Sequence, residues 1–164
     1  KNTTIVGLNN ISIGNNVRID SGTLIVANTG SLSIENYVHI SAHCHLACAG
    51  GILMKSFSGL SQGVKIFTIT DNLSEPALTN PTTPKKYFKP KVDKVELSKH
   101  VIIGTGSVIM PGVTIGEGSA VGALSYVNKS LSSWGIFGGI PAKKLKERDK
   151  ALLDREKEIN FNSN

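Results

Sequence analysis

The sequence predicts an all-β fold, a left-handed parallel β-helix, on three observations. Aliphatic residues recur at every sixth position, a Gly or Ser directly follows many of them, and aromatic residues make up only 5% of a chain that is 40% hydrophobic. A core of Ile, Val, Leu and Ala without large rings suits a narrow interior in which like residues stack on like. The 164 residues make one domain of ordinary size, long enough to bury such a core.

Taken in order, Ile13, Ile19 and Ile25 form a first set, Ile34, Ile40 and Leu46 a second, and Met54, Leu60 and Ile66 a third. After a break come Leu97, Ile103 and Ile109, then Ile115, Val121 and Val127, so that five coils are legible. Three six-residue faces make a coil of about 18 residues, and an aliphatic residue at the same place on each face builds a continuous interior column. Small residues after the aliphatic one, as at Gly14, Ser41, Ser61, Gly104, Gly116 and Gly122, let the chain turn its corners closely. An α-helix lacks this period, and an antiparallel sandwich has no reason to keep a count of six.

Interruptions of the count locate the irregular parts. Ile13 to Ile34 is 21 residues and Ile34 to Met54 is 20, which places small corner insertions near 28–33 and 49–53. The large departure spans about 70–94, holds Pro76, Pro81, Pro84 and Pro90, and reads as a loop extruded from one corner. Long ordered loops often carry function. Beyond Leu131 the period ends, and Trp134 to Pro141 reads as a turn back onto the last coil. Leu145, Leu152, Leu153 and Ile159 share one face of a helix within a highly charged stretch, predicting a helix from Lys143 that caps the open end of the coils. The expected division is a β-helix over 1–142 and a C-terminal helix and tail over 143–164.

A formal charge of +6 calls for an anionic partner, and the excess of Lys after about residue 84 favours a local phosphate site over a nucleic-acid surface. Cys44 and Cys48 are the two cysteines and form no disulfide framework, which fits a reducing cytoplasm. The segment 1–10 lacks the basic start and apolar run of a signal peptide, and no apolar stretch approaches the length of a membrane span. A soluble cytoplasmic protein is the expectation.

The run IGTGSVIMPGVTIGEGSAVGALSYVNKSL followed by GGIPAKKLK resembles the C-terminal signature of hexapeptide-repeat acetyltransferases, and the likeness extends over roughly 11–148. Within that superfamily the chain is most similar to bacterial surface-polysaccharide sugar O-acetyltransferases, in which GLSQGVKIFT leads into an Asp-containing loop such as TDNLSE. The resemblance implies a homotrimer with active sites between subunits, acetyl-CoA as co-substrate, no metal, and a sugar hydroxyl of O-antigen or capsule as acceptor. An amino sugar linked to a nucleotide, acylated on nitrogen, is the alternative acceptor. It further implies that Gly104 or Thr105 and Ala123 contact the pantetheine arm, with Asn128 and Lys129 further along. Pro141 would lie by the adenine, and Lys143 and Lys146 by the phosphates. Independently of the family, small corner residues such as Gly104, Thr105, Ala123 and Ser125 leave backbone amides open to a pantetheine amide in extended form, and ammonium groups suit phosphate.

Acetyl transfer needs a proton acceptor, and His39, His43, His45 and His100 are the histidines available. His39 precedes inward Ile40, so strand alternation turns it outward, which makes it the first candidate, with His45, before Leu46, the alternative. His43 sits at a corner, and His100 reads as an ordinary exposed side chain. In the galactoside and maltose enzymes the base aligns with FTITDN, where this chain has Asp71; Asp71 is expected to orient His39 or to bind the sugar, together with Asn72. Tyr87 and Phe88 are placed to pack on a sugar ring. Two other classes share the fold. A γ-carbonic anhydrase-type metal enzyme needs paired His five residues apart, whereas the spacings here are four and two. A non-catalytic scaffold needs neither the GxPAK turn nor a lysine cluster beside a groove.

Overall fold

Three parallel sheets, one per face of a triangular prism, carry nearly all the regular structure. The computed structural model describes residues 2–74 and 76–162. Face one stacks Thr4–Val6, Leu24–Val26, His45–Ala47, Lys65–Phe67, Val108–Ile109 and Tyr126–Val127. Face two stacks Ile11–Ile13, Leu32–Ile34, Ile52–Met54, Val95–Leu97 and Thr114–Ile115. Face three stacks Arg18–Ile19, His39–Ile40, Gly59–Leu60, Ile102–Ile103, Ala120–Val121 and Gly135–Gly138. About seven turns result, counting an incomplete one at each end, against the five legible in the sequence. The added ones come from Thr4–Val6 at one end and from Leu131 and Phe137 at the other, where spacing departs from six.

Register follows the predicted columns. On face two Ile13, Ile34, Met54, Leu97 and Ile115 are successive partners, on face three Ile19, Ile40, Leu60, Ile103 and Val121, and on face one Ile25, Leu46, Ile66, Ile109 and Val127. From Ile25 onward these side chains are buried, most of them completely. Each removes its apolar surface from water against the like residue above and below, which is why the period alone specifies the stacking. The 28–33 and 49–53 insertions lie at the corner between faces one and two, leaving the columns in register.

The loop over 70–94 leaves the same corner. Its ends are clasped by a short antiparallel pair, Ile69 with Val92 and Thr70 with Lys91, so that Val95–Leu97 resumes directly on Ile52–Met54.

The C-terminal segment differs from the predicted helix. Lys143–Glu147 is a strand, folded back antiparallel onto Gly135–Gly138 with a bulge opposite Ile136 and Phe137. The last face-three strand would otherwise present unpaired N–H and C=O groups, and pairing them outweighs the helix propensity of a Lys- and Leu-rich stretch. The helix is confined to Leu152–Asn162 and lies along the prism's flank. There Glu156 bonds Lys99 and His100, while Arg148 Nη1 donates to the carbonyls of His100 and Gly118 at 2.9 and 3.0 Å. Among the described residues no helix is long and apolar enough to cross a membrane.

Candidate active site

Two corners bound face one, and the chemistry-bearing residues gather on and beside that face. On its outer surface, flanking the inward column, lie two rows: Leu24, His45, Lys65, Val108 and Tyr126, and then Val26, Ala47, Phe67, Met110 and Asn128. Strand alternation places these side chains outward on either side of the buried column.

At the corner toward face two, the base of the excursion loop folds over the second row. Phe67, Ile69, Thr70, Asp71, Pro81, Phe88 and Met110 line a cleft of about 450 Å³. Its walls are apolar and its carboxylate is Asp71, which is exposed; Asn72 follows, half-buried, and its Oδ1 accepts from the Ser74 N–H at 3.2 Å. His45 stands edge-on to Phe67 with ring centroids 5.5 Å apart. Burial and then the neighbouring Lys65 hold the His45 imidazole below its ordinary pKa, favouring the neutral ring. Phe67 and Met110 were not foreseen as site residues, although the Ile66–Ile109 register makes them neighbours.

Tyr87 lines a different space. It ends a 3₁₀ turn, Lys85–Tyr87, and with Pro76, Ala77, Leu78, Lys86 and Lys89 it bounds a second cavity of about 510 Å³ in the loop. The Lys86 ammonium sits 4.6 Å from the Tyr87 ring centroid.

His39 is exposed on face three, as alternation requires, and its partner is one that coil spacing did not suggest. Nε2–H donates to Asp20 Oδ2 at 2.8 Å, and Arg18 Nε donates to Asp20 Oδ1 at 2.7 Å. The His39 bond, then that from Arg18, holds the Asp20 carboxyl below the usual range. Asp71 does not orient His39 within the chain: it lies across face one, on the loop. Asp20 was findable, because it follows inward Ile19 just as Ser41 follows Ile40, one coil below.

His43 occupies its expected corner at φ 58°. His100 is not an exposed side chain; it is 7% exposed, stacked on Phe57 with centroids 5.2 Å apart, and donates from Nε2 to Glu156 Oε2 at 2.8 Å. The C-terminal helix covers it, a contact across 56 residues that no local pattern announces.

The predicted cofactor residues cluster at the corner between faces three and one and beyond it. Thr105 and Ala123 are exposed on successive coils, and their backbone N–H groups have no partner among the described residues. Gly104 and Ser125 serve the corner itself. A Cβ on Gly104 would lie 2.5 Å from the Ala123 nitrogen and 2.7 Å from the Gly122 carbonyl carbon. Ser125 is 2% exposed, its Oγ donating to the Gly122 carbonyl and accepting from the Gly139 N–H. The Ser125 hydroxyl thus closes the turn within the chain. Asn128 and Lys129 are exposed after the last face-one strand. Pro141 lies in the hairpin turn, and Lys143 and Lys146 project from the hairpin strand instead of a helix. Among the described residues no three His, Cys, Asp or Glu side chains converge to hold a metal ion.

Comparison with known proteins fixes the family. The family model for bacterial transferase hexapeptide (six repeats) matches 94–129. A dTDP-4-amino-4,6-dideoxy-D-glucose acyltransferase of Escherichia coli is 38% identical over 150 residues, spanning 92% of this chain and 78% of the relative. The chain belongs to the hexapeptide-repeat acyltransferases. Among solved structures, the N-acyltransferase AntD of Bacillus cereus, in complex with dTDP and 3-hydroxybutyryl-CoA, matches this acyltransferase chain with a TM-score of 0.93 and 41% identity, covering 99% of this chain and 86% of AntD. The putative lipopolysaccharide biosynthesis O-acetyl transferase WbbJ of Escherichia coli is 27% identical over 84% of this chain and 69% of its own.

Proposed function

We propose that this acyltransferase moves an acyl group from a CoA thioester to the amino group of a dTDP-linked 4-amino-4,6-dideoxy sugar. The observation that carries the reading is Asp71, the carboxylate of the apolar cleft, taken with Ser61. Solved structures of AntD include substitutions at one serine and one aspartate ten positions apart, some with dTDP-4-amino-4,6-dideoxyglucose and CoA bound. In this chain Asp71 is the aspartate with a serine ten residues before it, Ser61; none of the other aspartates has one. Ser61 is half-buried at the corner beside Gly63, around which there is open space. Identity over nearly the full chain favours an amine acceptor over the polysaccharide hydroxyl that the motifs alone suggested.

The chemistry needs few groups. A neutral amine attacks the thioester carbonyl, the C–N bond forms, the C–S bond breaks, and CoA leaves as thiolate. The amine's surplus proton passes to the Asp71 carboxylate and on to the sulfur, so the base has only to hold and relay a proton. Holding donor and acceptor side by side supplies much of the acceleration. Thr105 and Ala123 offer free amides to pantetheine, and Lys143 and Lys146 offer charge to its phosphates. The working enzyme in this reading is a homotrimer with sites between prisms.

The test is thiol release from acetyl-CoA with dTDP-4-amino-4,6-dideoxyglucose as acceptor, with the product checked by mass. Asp71→Asn is expected to lower kcat by about 100-fold or more while CoA affinity stays unchanged. Acylation of a hydroxyl acceptor with none of the amine would return the O-acetylation reading.

A further inference from the structure

We infer that the excursion loop carries the acceptor's nucleotide subsite, built from Tyr87, Lys86 and Lys89, and that this subsite is separate from the lysines that meet CoA. The inference rests on the dTDP-linked acceptor proposed above and extends it to named residues.

Four lysines, Lys85, Lys86, Lys89 and Lys91, lie within seven residues on either side of Tyr87 and Phe88. Lys91 is paired, with Asp93 at 3.5 Å; Lys85, Lys86 and Lys89 are exposed and have no acidic partner among the described residues. The cavity of about 510 Å³ beside them combines an aromatic ring, two ammonium-bearing stems and the apolar residues Pro76, Ala77 and Leu78. A pyrimidine nucleoside diphosphate matches that set: its base has a flat face for a ring to stack on, and its phosphates suit compact ammonium charges.

Position joins this cavity to the catalytic cleft. Tyr87 lines the outer cavity and the next residue, Phe88, lines the cleft that holds Asp71. A sugar nucleotide lying across both places its base and phosphates at Tyr87 and its hexose at Asp71. The reaction has two substrates with pyrophosphate groups, and among the described residues there are two exposed lysine clusters, one on this loop and one on the hairpin strand with Lys143 and Lys146. The loop cluster shares its element with Asp71, where the acceptor's amine must be. The hairpin cluster lies beyond the corner with the free Thr105 and Ala123 amides.

The experiment is a crossed binding measurement by calorimetry, with dTDP and CoA as probes and the full chain throughout. Lys86→Gln with Lys89→Gln is expected to weaken dTDP binding by about ten-fold or more and to leave CoA binding unchanged. Lys143→Gln with Lys146→Gln is expected to do the reverse. Tyr87→Ala should weaken dTDP more than inorganic pyrophosphate, because it removes the stacking face while leaving both ammonium groups, although Lys86 loses the ring it rests on. All five positions are exposed, and circular dichroism confirms folding. Unchanged dTDP affinity in the loop variants overturns the inference, and so does a loss of CoA affinity in place of dTDP. If the wild type acylates the dTDP-amino sugar and the loop variants keep its KM, the inference fails while the proposed function stands. If dTDP binding depends on the loop lysines but no amine is acylated, the subsite stands and the proposed reaction fails.

Discussion

Replacing Gly104 by Ala tests whether this corner glycine serves the fold or the cofactor. The added Cβ meets only backbone: the Ala123 nitrogen at 2.5 Å, the Gly122 carbonyl carbon at 2.7 Å and the Val121 oxygen at 2.8 Å. No side chain can swing aside, so the two coils must spread. Spreading stretches the Gly104 N–H to Val121 carbonyl bond, now 2.7 Å, and the Leu124 N–H to Thr105 carbonyl bond, now 2.8 Å. Overpacking together with weakened backbone bonds costs about 3 kcal/mol. Gly63→Ala at the same corner is the control. Nothing lies within 4 Å of its Cβ, but its φ of +71° is left-handed, so the cost is conformational only. That amounts to about 1 kcal/mol. With an m-value of about 2 kcal/mol/M, the two variants should differ in urea midpoint by about 1 M, measured at one fixed protein concentration. Equal midpoints, or Gly63→Ala the weaker, would refute the packing argument. An unchanged midpoint for Gly104→Ala with lost CoA affinity would return Gly104 to the cofactor surface.

Other perturbations separate the remaining roles. Because the amine's proton is assigned to Asp71 while Asp20 holds His39 on another face, His39→Ala should leave turnover within about three-fold; a loss near the 100-fold typical of a general base would install the Asp20–His39 pair instead. Burial pushes the Glu156 carboxyl upward, but bonds from Lys99 and His100 outweigh it and hold the group below the ordinary range. A depressed folded-state pKa stabilises docking above the unfolded value and loses that contribution as pH falls through the folded one. The Leu152–Asn162 helix should therefore lose hydrogen-exchange protection below about pH 4.3, ahead of the prism, and Glu156→Gln should release it at neutral pH. Burial raises the Cys48 thiol to about 12, so iodoacetamide at pH 8 should leave Cys48 unmodified until the chain is unfolded; rapid labelling of the native protein would contradict its place in the core.

What the sequence determined by itself is the prism. Inward residues such as Ile40, Leu60 and Ile103 repeat at a fixed local count, and each need only find its like one coil away. Corner residues and the loop's limits came with that count, since any departure from it must leave the stack. The outward positions of His39 and His45 came from strand alternation on the same basis. Tertiary structure alone decided what the period does not address. Lys143–Glu147 has the composition of a helix and became a strand because the edge of Gly135–Gly138 needed hydrogen-bond partners. His100 has the surroundings of a surface residue in the sequence and was buried by Glu156 from a helix 56 residues away. The cleft likewise depends on how the loop folds back, setting Asp71, Pro81 and Phe88 against Phe67 and Met110. A repeat specifies contacts between equivalent positions; a site assembled from non-equivalent ones is set only when the irregular segments close over the regular frame.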